Sequence, residues 1–143
     1  MKCARRCGKN AMRIMIDTNI LVSAFVLSSP YLLKIIDVIS EYHKIVLSTY
    51  GIDELKRVTR QKFPAKYDLL ESFLRELPYE LVYTPEKINK SKYPAIRDIK
   101  DLPILASAMI EDVDILLTND IDFTSLEIEK PEILTPKSFL EKY

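Results

Sequence analysis

The chain has 143 residues, of which 48% are hydrophobic, a length and composition typical of one folded domain and not of a disordered segment. Its 21 basic and 21 acidic side chains cancel, so net charge indicates neither nucleic acid nor a membrane as a partner. No apolar run approaches the roughly 18 residues of a membrane span and no secretory signal follows the basic start, so we expect a cytoplasmic protein with no membrane partner.

Both cysteines, Cys3 and Cys7, lie in a basic segment ahead of a second methionine. A structural zinc site takes about four ligands, and the single histidine, His43, could add only one. We therefore expect residues 1–11 to be a disordered basic leader and residues 12–143 to form a single domain. Either methionine could be the true start.

Short apolar runs alternate with helical patterns along the rest of the chain. Strands that alternate with helices form a parallel sheet covered on both faces. The sequence therefore predicts an α/β fold of three layers, with helices on either side of a central parallel sheet of four to five strands. In chain order we predict a strand at 13–17, helices at 19–26 and 31–42, a strand at 44–48, helices at 50–60 and 67–77, a strand at 79–84, a helix from Leu102, strands at 113–118 and 132–136, and a final helical turn.

Glycine is rare, since Gly8 and Gly51 are the only two in the chain. They form neither the GxGxxG motif of dinucleotide-binding folds nor a P-loop. The sequence therefore disfavours both of those nucleotide-binding classes.

Acidic residues fall at one edge of the predicted sheet, where open parallel sheets bind their ligands. Asp17 ends the first strand between two apolar runs, and Asp120 and Asp122 follow the fourth strand. Glu54 lies on the apolar face of the helix after the second strand. Asp101 opens the helix that precedes the fourth strand and lies on its apolar face. We expect these five carboxylates to converge.

Each acid also has a structural explanation. Asp101 could cap its helix, since aspartate is among the best N-caps. Asp120 and Asp122 could be turn residues, and Glu54 could be solvated. Asp17 is hardest to explain in this way, because apolar segments flank it and burying an unpaired carboxylate is costly.

A bound cation would resolve the repulsion among these acids. Carboxylates packed together raise one another's pKa, and a hard divalent ion removes that conflict. Ligation by oxygen alone suits Mg²⁺ or Mn²⁺. We therefore predict that Asp17 faces a metal ion.

Four stretches of the chain, taken together, resemble a known family. "MIDTNILVSAF", the glutamate after the second strand, "DLPILASAM" and "LLTNDIDF" are similar in order and spacing to the motifs of PIN-domain ribonucleases. The resemblance extends over residues 12–143 and is closest to stand-alone toxin components of the VapC type. It implies a PIN-like fold.

The resemblance also implies roles for single residues. Two neighbours are alternatives, Asp53 for the second acid and Asp98 for the third, and we prefer the residues on the apolar helix faces. The implied catalytic acids are Asp17, Glu54, Asp101 and Asp120; Asp122 is a further metal ligand; and Thr18, Asn19 and Thr118 support the site.

The implied chemistry is metal-assisted hydrolysis of phosphodiester bonds in RNA, with one ion or with two about 4 Å apart. It needs no nucleophilic side chain. His43 precedes the second strand, at the opposite end of the sheet, and we expect it to be a surface or loop residue.

Two basic runs could hold the RNA backbone on either side of the acids. Solvated helix or loop surface is an equally good explanation for any one of these residues. Tyr50 could stack on a base or serve in packing. The backbone candidates are Lys56, Arg57 and Arg60 after Glu54, and Arg97 and Lys100 before Asp101.

Two other functions compete with a ribonuclease. A receiver or haloacid dehalogenase-like domain also uses strand-end aspartates with Mg²⁺, but the first strand lacks the acidic pair of the former and the DxDxT of the latter. A catalytically silent PIN-fold module that binds RNA or protein is the second alternative.

Two protein partners are also expected. If the chain is the toxin of a toxin–antitoxin pair, its partner is an antitoxin protein. Apolar residues on the helices at 31–42 and 67–77 cover more than the one stripe needed to pack on a sheet. We therefore predict a homodimer built on these two helices.

Overall fold

Five parallel strands form one sheet in the computed structural model, which describes residues 11–143. The strands, in the spatial order β3-β2-β1-β4-β5, are β1 (Arg13–Ile16), β2 (Lys44–Ser48), β3 (Tyr79–Val82), β4 (Ile115–Leu117) and β5 (Glu132–Leu134). The predicted α/β class with a parallel sheet is confirmed. The predicted leader, residues 1–11, lies outside the described residues except for Ala11.

Seven α-helices connect and cover these strands in the described part of the chain. They are α1 (Thr18–Leu21), which continues as a π-helical segment (Val22–Val26), α2 (Pro30–Tyr42), α3 (Thr49–Lys62), α4 (Tyr67–Glu76), α5 (Leu102–Ile110), α6 (Ile121–Thr124) and α7 (Pro136–Lys142). Side-chain caps start several of them. Ser48, for example, accepts a hydrogen bond of 3.0 Å from the Gly51 amide, as expected for an N-cap of α3.

The core has two parts, one on each face of the sheet, because successive side chains of a strand point to opposite faces. On β1, Ile14 and Ile16 pack with α1 to α4 and α7, whereas Met15 packs with α5 and α6. β4 alternates in the same way. All three layers are therefore present, and the central strands are apolar throughout because both of their faces are covered.

The element boundaries differ from the predicted ones at several strand ends. β3 was predicted to reach Thr84 but ends at Val82. Thr84 leaves the sheet to exchange hydrogen bonds with the start of α3: its amide donates to Thr49 Oγ1, and its Oγ1 accepts from the Tyr50 amide. α6 was not predicted, because a helix of four residues is too short to show a periodic pattern.

His43 lies at the end of the sheet opposite the acids, in the loop before β2, as predicted. It is not a free surface residue. Its Nδ1 accepts a hydrogen bond of 3.1 Å from the Met12 amide, and its ring lies edge-on to Phe139. His43 therefore stabilises the fold where β1 begins.

No single helix among residues 11–143 is long and apolar enough to cross a membrane. One bent pair, Thr18–Val26 with Pro30–Tyr42, meets the length and composition criteria together, with an angle of 114° between its members. The apolar side chains of this pair, including Ile20, Phe25 and Ile35, belong to the core of the domain.

Candidate active site

Asp17 and Thr118 join the ends of the two central strands. Asp17 directly follows β1, and its amide donates to the Leu117 carbonyl of β4. Thr118 directly follows β4, and its hydroxyl donates to Asp17 Oδ2 over 2.8 Å while accepting from the Asp120 amide over 3.0 Å. Both side chains are buried. Thr118 therefore fixes the orientation of the Asp17 carboxylate and the path of the chain towards Asp120.

Three further carboxylates form a compact group beside this pair. One oxygen from each of Asp101, Asp120 and Asp122 lies within 4.8 Å of the other two. Asp101 comes from the turn before α5, and the other two come from the first residues around α6. This separation suits one cation shared by three carboxylates.

Helix capping does not account for Asp101. It occupies the N-cap position of α5, but its side chain makes no capping hydrogen bond. Its Oδ2 is buried and has no hydrogen-bond partner among residues 11–143. The side chain of Asp120 is close enough to share a proton with Asp101 when Asp101 is protonated. Since buried polar atoms are nearly always paired in folded proteins, the ionised form makes this oxygen a candidate ligand for a cation.

Asp120, by contrast, does have the local role that its sequence context suggested. Its Oδ1 accepts a hydrogen bond of 2.9 Å from the Asp122 amide and so caps α6. This bond uses one of the two carboxylate oxygens. Capping and metal binding are therefore compatible at Asp120.

Glu54 lies on α3 and is not a member of the three-carboxylate group, but its charge contributes to the raised pKa of Asp17. Its nearest cation is Arg57, whose Nη2 lies 3.8 Å from Glu54 Oε2. The alternative acids are both exposed, and the Asp98 carboxylate accepts the Lys100 amide within its own turn although its charge acts on Asp101. The geometry thus favours Glu54 and Asp101 over their neighbours in sequence.

The site is electrostatically strained without a cation. Burial, together with the charges of Asp120 and Glu54, raises the pKa of Asp17 to about 6 despite the Thr118 hydrogen bond. Burial and the charges of Asp120, Asp17 and Asp98 raise the pKa of Asp101 to about 7. Keeping both groups ionised at neutral pH costs free energy that a bound cation would recover.

The donor set fits a hard divalent ion. All candidate ligands are oxygens, the preferred ligands of Mg²⁺ and Mn²⁺. Besides Asp101 Oδ2, the buried Thr18 Oγ1 also has no hydrogen-bond partner among the described residues. Asn19, the third residue of the "DTN" motif, is exposed. Glycine at position 51 gives the Ser48 side chain room at the start of α3, since a Cβ there would lie 3.1 Å from Ser48 Oγ.

Tyr50 has a packing role that the sequence left open. Its hydroxyl donates to the Lys100 carbonyl over 3.1 Å, which links α3 to the turn that carries Asp101. Thr84 extends this link, because its Oγ1 accepts from the Tyr50 amide and lies 2.9 Å from Ser107 Oγ on α5. Sequence analysis missed Thr84 and Ser107, since nothing local marks a contact between segments this far apart.

The basic candidates divide into two groups. Arg57 adjoins Glu54, and Arg97 Nε lies 3.4 Å from Asp122 Oδ1. Lys100 directly precedes Asp101. Lys56 and Arg60 are directed towards α4 instead: Lys56 lines a cavity with Arg75, and the Arg60 guanidinium lies over the Tyr67 ring. The structure thus places three of the five basic residues beside the acids.

Comparison with known proteins agrees with this fold. VapBC2 from Rickettsia felis, solved with a DNA fragment from its promoter, matches with a TM-score of 0.66 and 20% identity over 87% of this chain and 98% of that one. VapBC-1 from nontypeable Haemophilus influenzae matches with a TM-score of 0.58 and 16% identity over 88% and 99% of the two chains. A sequence comparison with curated proteins finds no significant match.

A family model described as PIN domain matches residues 13–122. The match begins at β1 and ends at Asp122, so it includes every acid of the candidate site. It extends over more than half of the chain, and the parallel sheet has the fold of the two VapBC structures. The chain belongs to the PIN domain family.

Proposed function

We propose that this protein is a metal-dependent endoribonuclease that hydrolyses phosphodiester bonds in RNA with Mg²⁺ or Mn²⁺. The observation that supports this most directly is the group formed by Asp101, Asp120 and Asp122, with a buried Asp101 oxygen that no residue of the described chain pairs. We propose that residues 12–143 form one domain and that it acts in the cytoplasm.

Each acid of the site has a proposed role that follows from its position. Asp101, Asp120 and Asp122 would hold the ion, and Asp17, with Glu54 in support, would hold a second ion or the water bound to the first. A bound ion of this kind activates water and stabilises charge that develops on the phosphate. The Thr118 hydroxyl keeps the Asp17 carboxylate in one orientation. The Asp120 side chain is held in place by the hydrogen bond that it accepts from the Asp122 amide when it caps α6.

Purified protein and a labelled single-stranded RNA test the proposal. We expect cleavage with Mn²⁺ or Mg²⁺, none with excess chelator, and recovery when Mn²⁺ is added back. Titration calorimetry should show Mn²⁺ binding independently of turnover. If the protein binds Mn²⁺ or RNA but never cleaves, it is a catalytically silent PIN-fold module instead.

RNA backbone contacts are proposed for the basic residues beside the acids. Arg97 pairs with Asp122 of the group, Arg57 pairs with Glu54, and Lys100 precedes Asp101 in sequence; cations in such positions bind phosphate without selecting sequence. Lys56 and Arg60 lie further along α3, so they could contact only phosphates more distant from the acids. Tyr50 is not assigned to base stacking, because its ring packs against the core while its hydroxyl is bonded to the Lys100 carbonyl.

We also propose an antitoxin protein as a partner, which would make this chain the toxin of a pair. The support is similarity to two VapBC structures, at identities that establish the fold alone. Co-expression with the product of the adjacent reading frame should yield a complex in which RNA cleavage is suppressed. Cleavage that is unaffected by that product would favour an orphan ribonuclease.

A homodimer is the last proposed assembly, and the structure reduces the surface available for it. Most apolar residues of α2 and α4 lie in the core, including Leu32, Ile35, Leu70 and Leu74. They pack on the π-helical segment and on neighbouring helices as well as on the sheet. Large apolar side chains that remain exposed on the two helices are Tyr31 and Leu69.

Leu69→Glu should therefore convert a dimer to monomer if α4 lies in the interface. Leu81→Glu is the matched control, because Leu81 on β3 is 41% exposed and Leu69 is 42% exposed. Sedimentation equilibrium at micromolar concentration measures both. A monomeric wild type rules the dimer out, and a dimer that Leu69→Glu leaves intact has its interface elsewhere.

A further inference from the structure

The segment around Asp101 lines a half-open cavity of about 360 Å³, and none of its lining residues belongs to the acid group. Its volume is at the lower end of the range for small-molecule pockets, roughly 300–1,000 Å³. It therefore offers room for one planar ring system and its substituents. The lining side chains used below are Tyr93, Ile96, Ile99, Leu102 and Lys90.

This cavity and the acid group share one stretch of chain. Ile99 lies in the same 3₁₀ turn as Asp101, and Leu102 is the residue after Asp101. From the same segment, Arg97 reaches back to Asp122 with an Nε to Oδ1 distance of 3.4 Å. The turn that carries Asp101 therefore also supplies part of the cavity wall.

The walls combine an aromatic ring, aliphatic side chains and a single cation. Ile99 is 51% exposed although it is large and apolar. Nucleobases present flat apolar faces that stack on aromatic rings, and their phosphates are attracted to nearby cations. Lys90, Arg97 and Lys100 supply positive charge on this segment, whereas Asp98 is occupied with the Lys100 amide.

We propose that this cavity binds one unpaired nucleobase of the RNA, next to the phosphate held at the acid group. Tyr93 stacks on the base, Ile96 and Ile99 contact its other surfaces, and Lys90 contacts the neighbouring phosphate. This inference rests on the proposed ribonuclease function. It adds a base-binding subsite formed by Tyr93 and its neighbours, which a base can enter only when it is unpaired.

The test is a double-mutant cycle between Tyr93 and one base. All proteins carry Asp120→Asn, which stops cleavage and keeps the α6 cap, since asparagine caps as well as aspartate. Binding of a short single-stranded RNA is compared with binding of versions that have an abasic nucleotide at each position in turn, by fluorescence anisotropy. We expect one abasic position to weaken binding about 5- to 100-fold.

Tyr93→Ala should weaken binding of the intact RNA by a similar factor and abolish the difference between intact and abasic RNA. Tyr93→Phe keeps the ring and should bind as the parent does. Tyr143→Ala removes an exposed tyrosine beside the start of β5, at the end of the sheet opposite the acids, and should also bind as the parent does. If Tyr93→Ala unfolds, Ile99→Ser replaces it, because Ile99 is more exposed.

Several results would overturn the assignment. If an abasic nucleotide weakens binding to Tyr93→Ala as much as to the parent protein, the base does not bind in the cavity. The same conclusion holds if no abasic position weakens binding at all. If Tyr93→Ala weakens only the binding of a partner protein, that protein occupies the cavity. In these cases wild-type cleavage of RNA would leave the proposed ribonuclease function intact, whereas a protein that neither cleaves nor binds RNA would refute both proposals.

Discussion

Asp17→Asn should raise the free energy of unfolding of the metal-free protein at pH 8 by about 1–3 kcal/mol. A pKa shift from 3.8 to about 6 corresponds to about 3 kcal/mol. Asparagine removes this penalty and can still accept the Thr118 hydroxyl. Urea unfolding followed by circular dichroism, with a chelator present, measures the difference.

The sign of the pH dependence follows from the direction of the shift. The folded state binds more protons than the unfolded state between the two pKa values of Asp17, so the stability of the wild type falls as pH rises from about 4 to 7. The advantage of Asp17→Asn should therefore shrink as pH falls towards 4. Asp53→Asn is the control, because Asp53 is exposed on α3 and should change little.

A lower stability of Asp17→Asn at pH 8 would contradict this account. It would show that the carboxylate itself holds the ends of β1 and β4 together through the Thr118 bond. The expected gain in stability is the usual consequence when function keeps like charges close together.

The fold could be predicted from sequence because buried parallel strands have a simple pattern. β1 and β4 are apolar at every central position, since helices cover both faces of the sheet. Asp17 could be identified as unusual from the sequence because it is a carboxylate directly after such an apolar strand. Its position at the strand end follows from sequence, but its contact with Thr118 depends on the pairing of β1 with β4.

The side-chain contacts around the site and the packing of the helices could not be predicted, because they join segments that are far apart in the sequence. The contacts of Arg97 with Asp122 and of Tyr50 with Lys100 depend on the tertiary structure, since each pair is far apart in the sequence. The apolar surfaces of α2 and α4 were misjudged because amphipathic patterns do not show how many neighbours a helix has. Phe73 on α4, for example, stacks on Phe25 of the π-helical segment at a centroid distance of 4.9 Å.

Asp101→Asn should reduce Mn²⁺-dependent RNA cleavage at least about 100-fold, as loss of a group that stabilises the transition state through charge commonly does. Its Oδ2 is the buried oxygen without a hydrogen-bond partner in the described chain, so the substitution removes a charged ligand, while the asparagine amide can still donate to Asp120 as a protonated Asp101 does. Calorimetry should show weakened Mn²⁺ binding in the same variant. Melting temperature should not fall, because burial and neighbouring acids raise the pKa of Asp101 to about 7 and make its charge unfavourable in the metal-free protein.

Asp98→Asn is the matched control, three residues earlier in the same turn. Asp98 is exposed, and its Oδ1 accepts the Lys100 amide, a bond that asparagine can also form. We expect its cleavage rate to stay within about 3-fold of the wild type, since a surface charge next to the site changes the barrier by less than about 1 kcal/mol. An equal loss of cleavage rate in both variants would mean that the negative charge of this turn is needed, and that Asp101 does not act as a metal ligand. Full activity of Asp101→Asn would move the metal to Asp17, Glu54 and Asp120, and the buried Asp101 oxygen would then need another ligand.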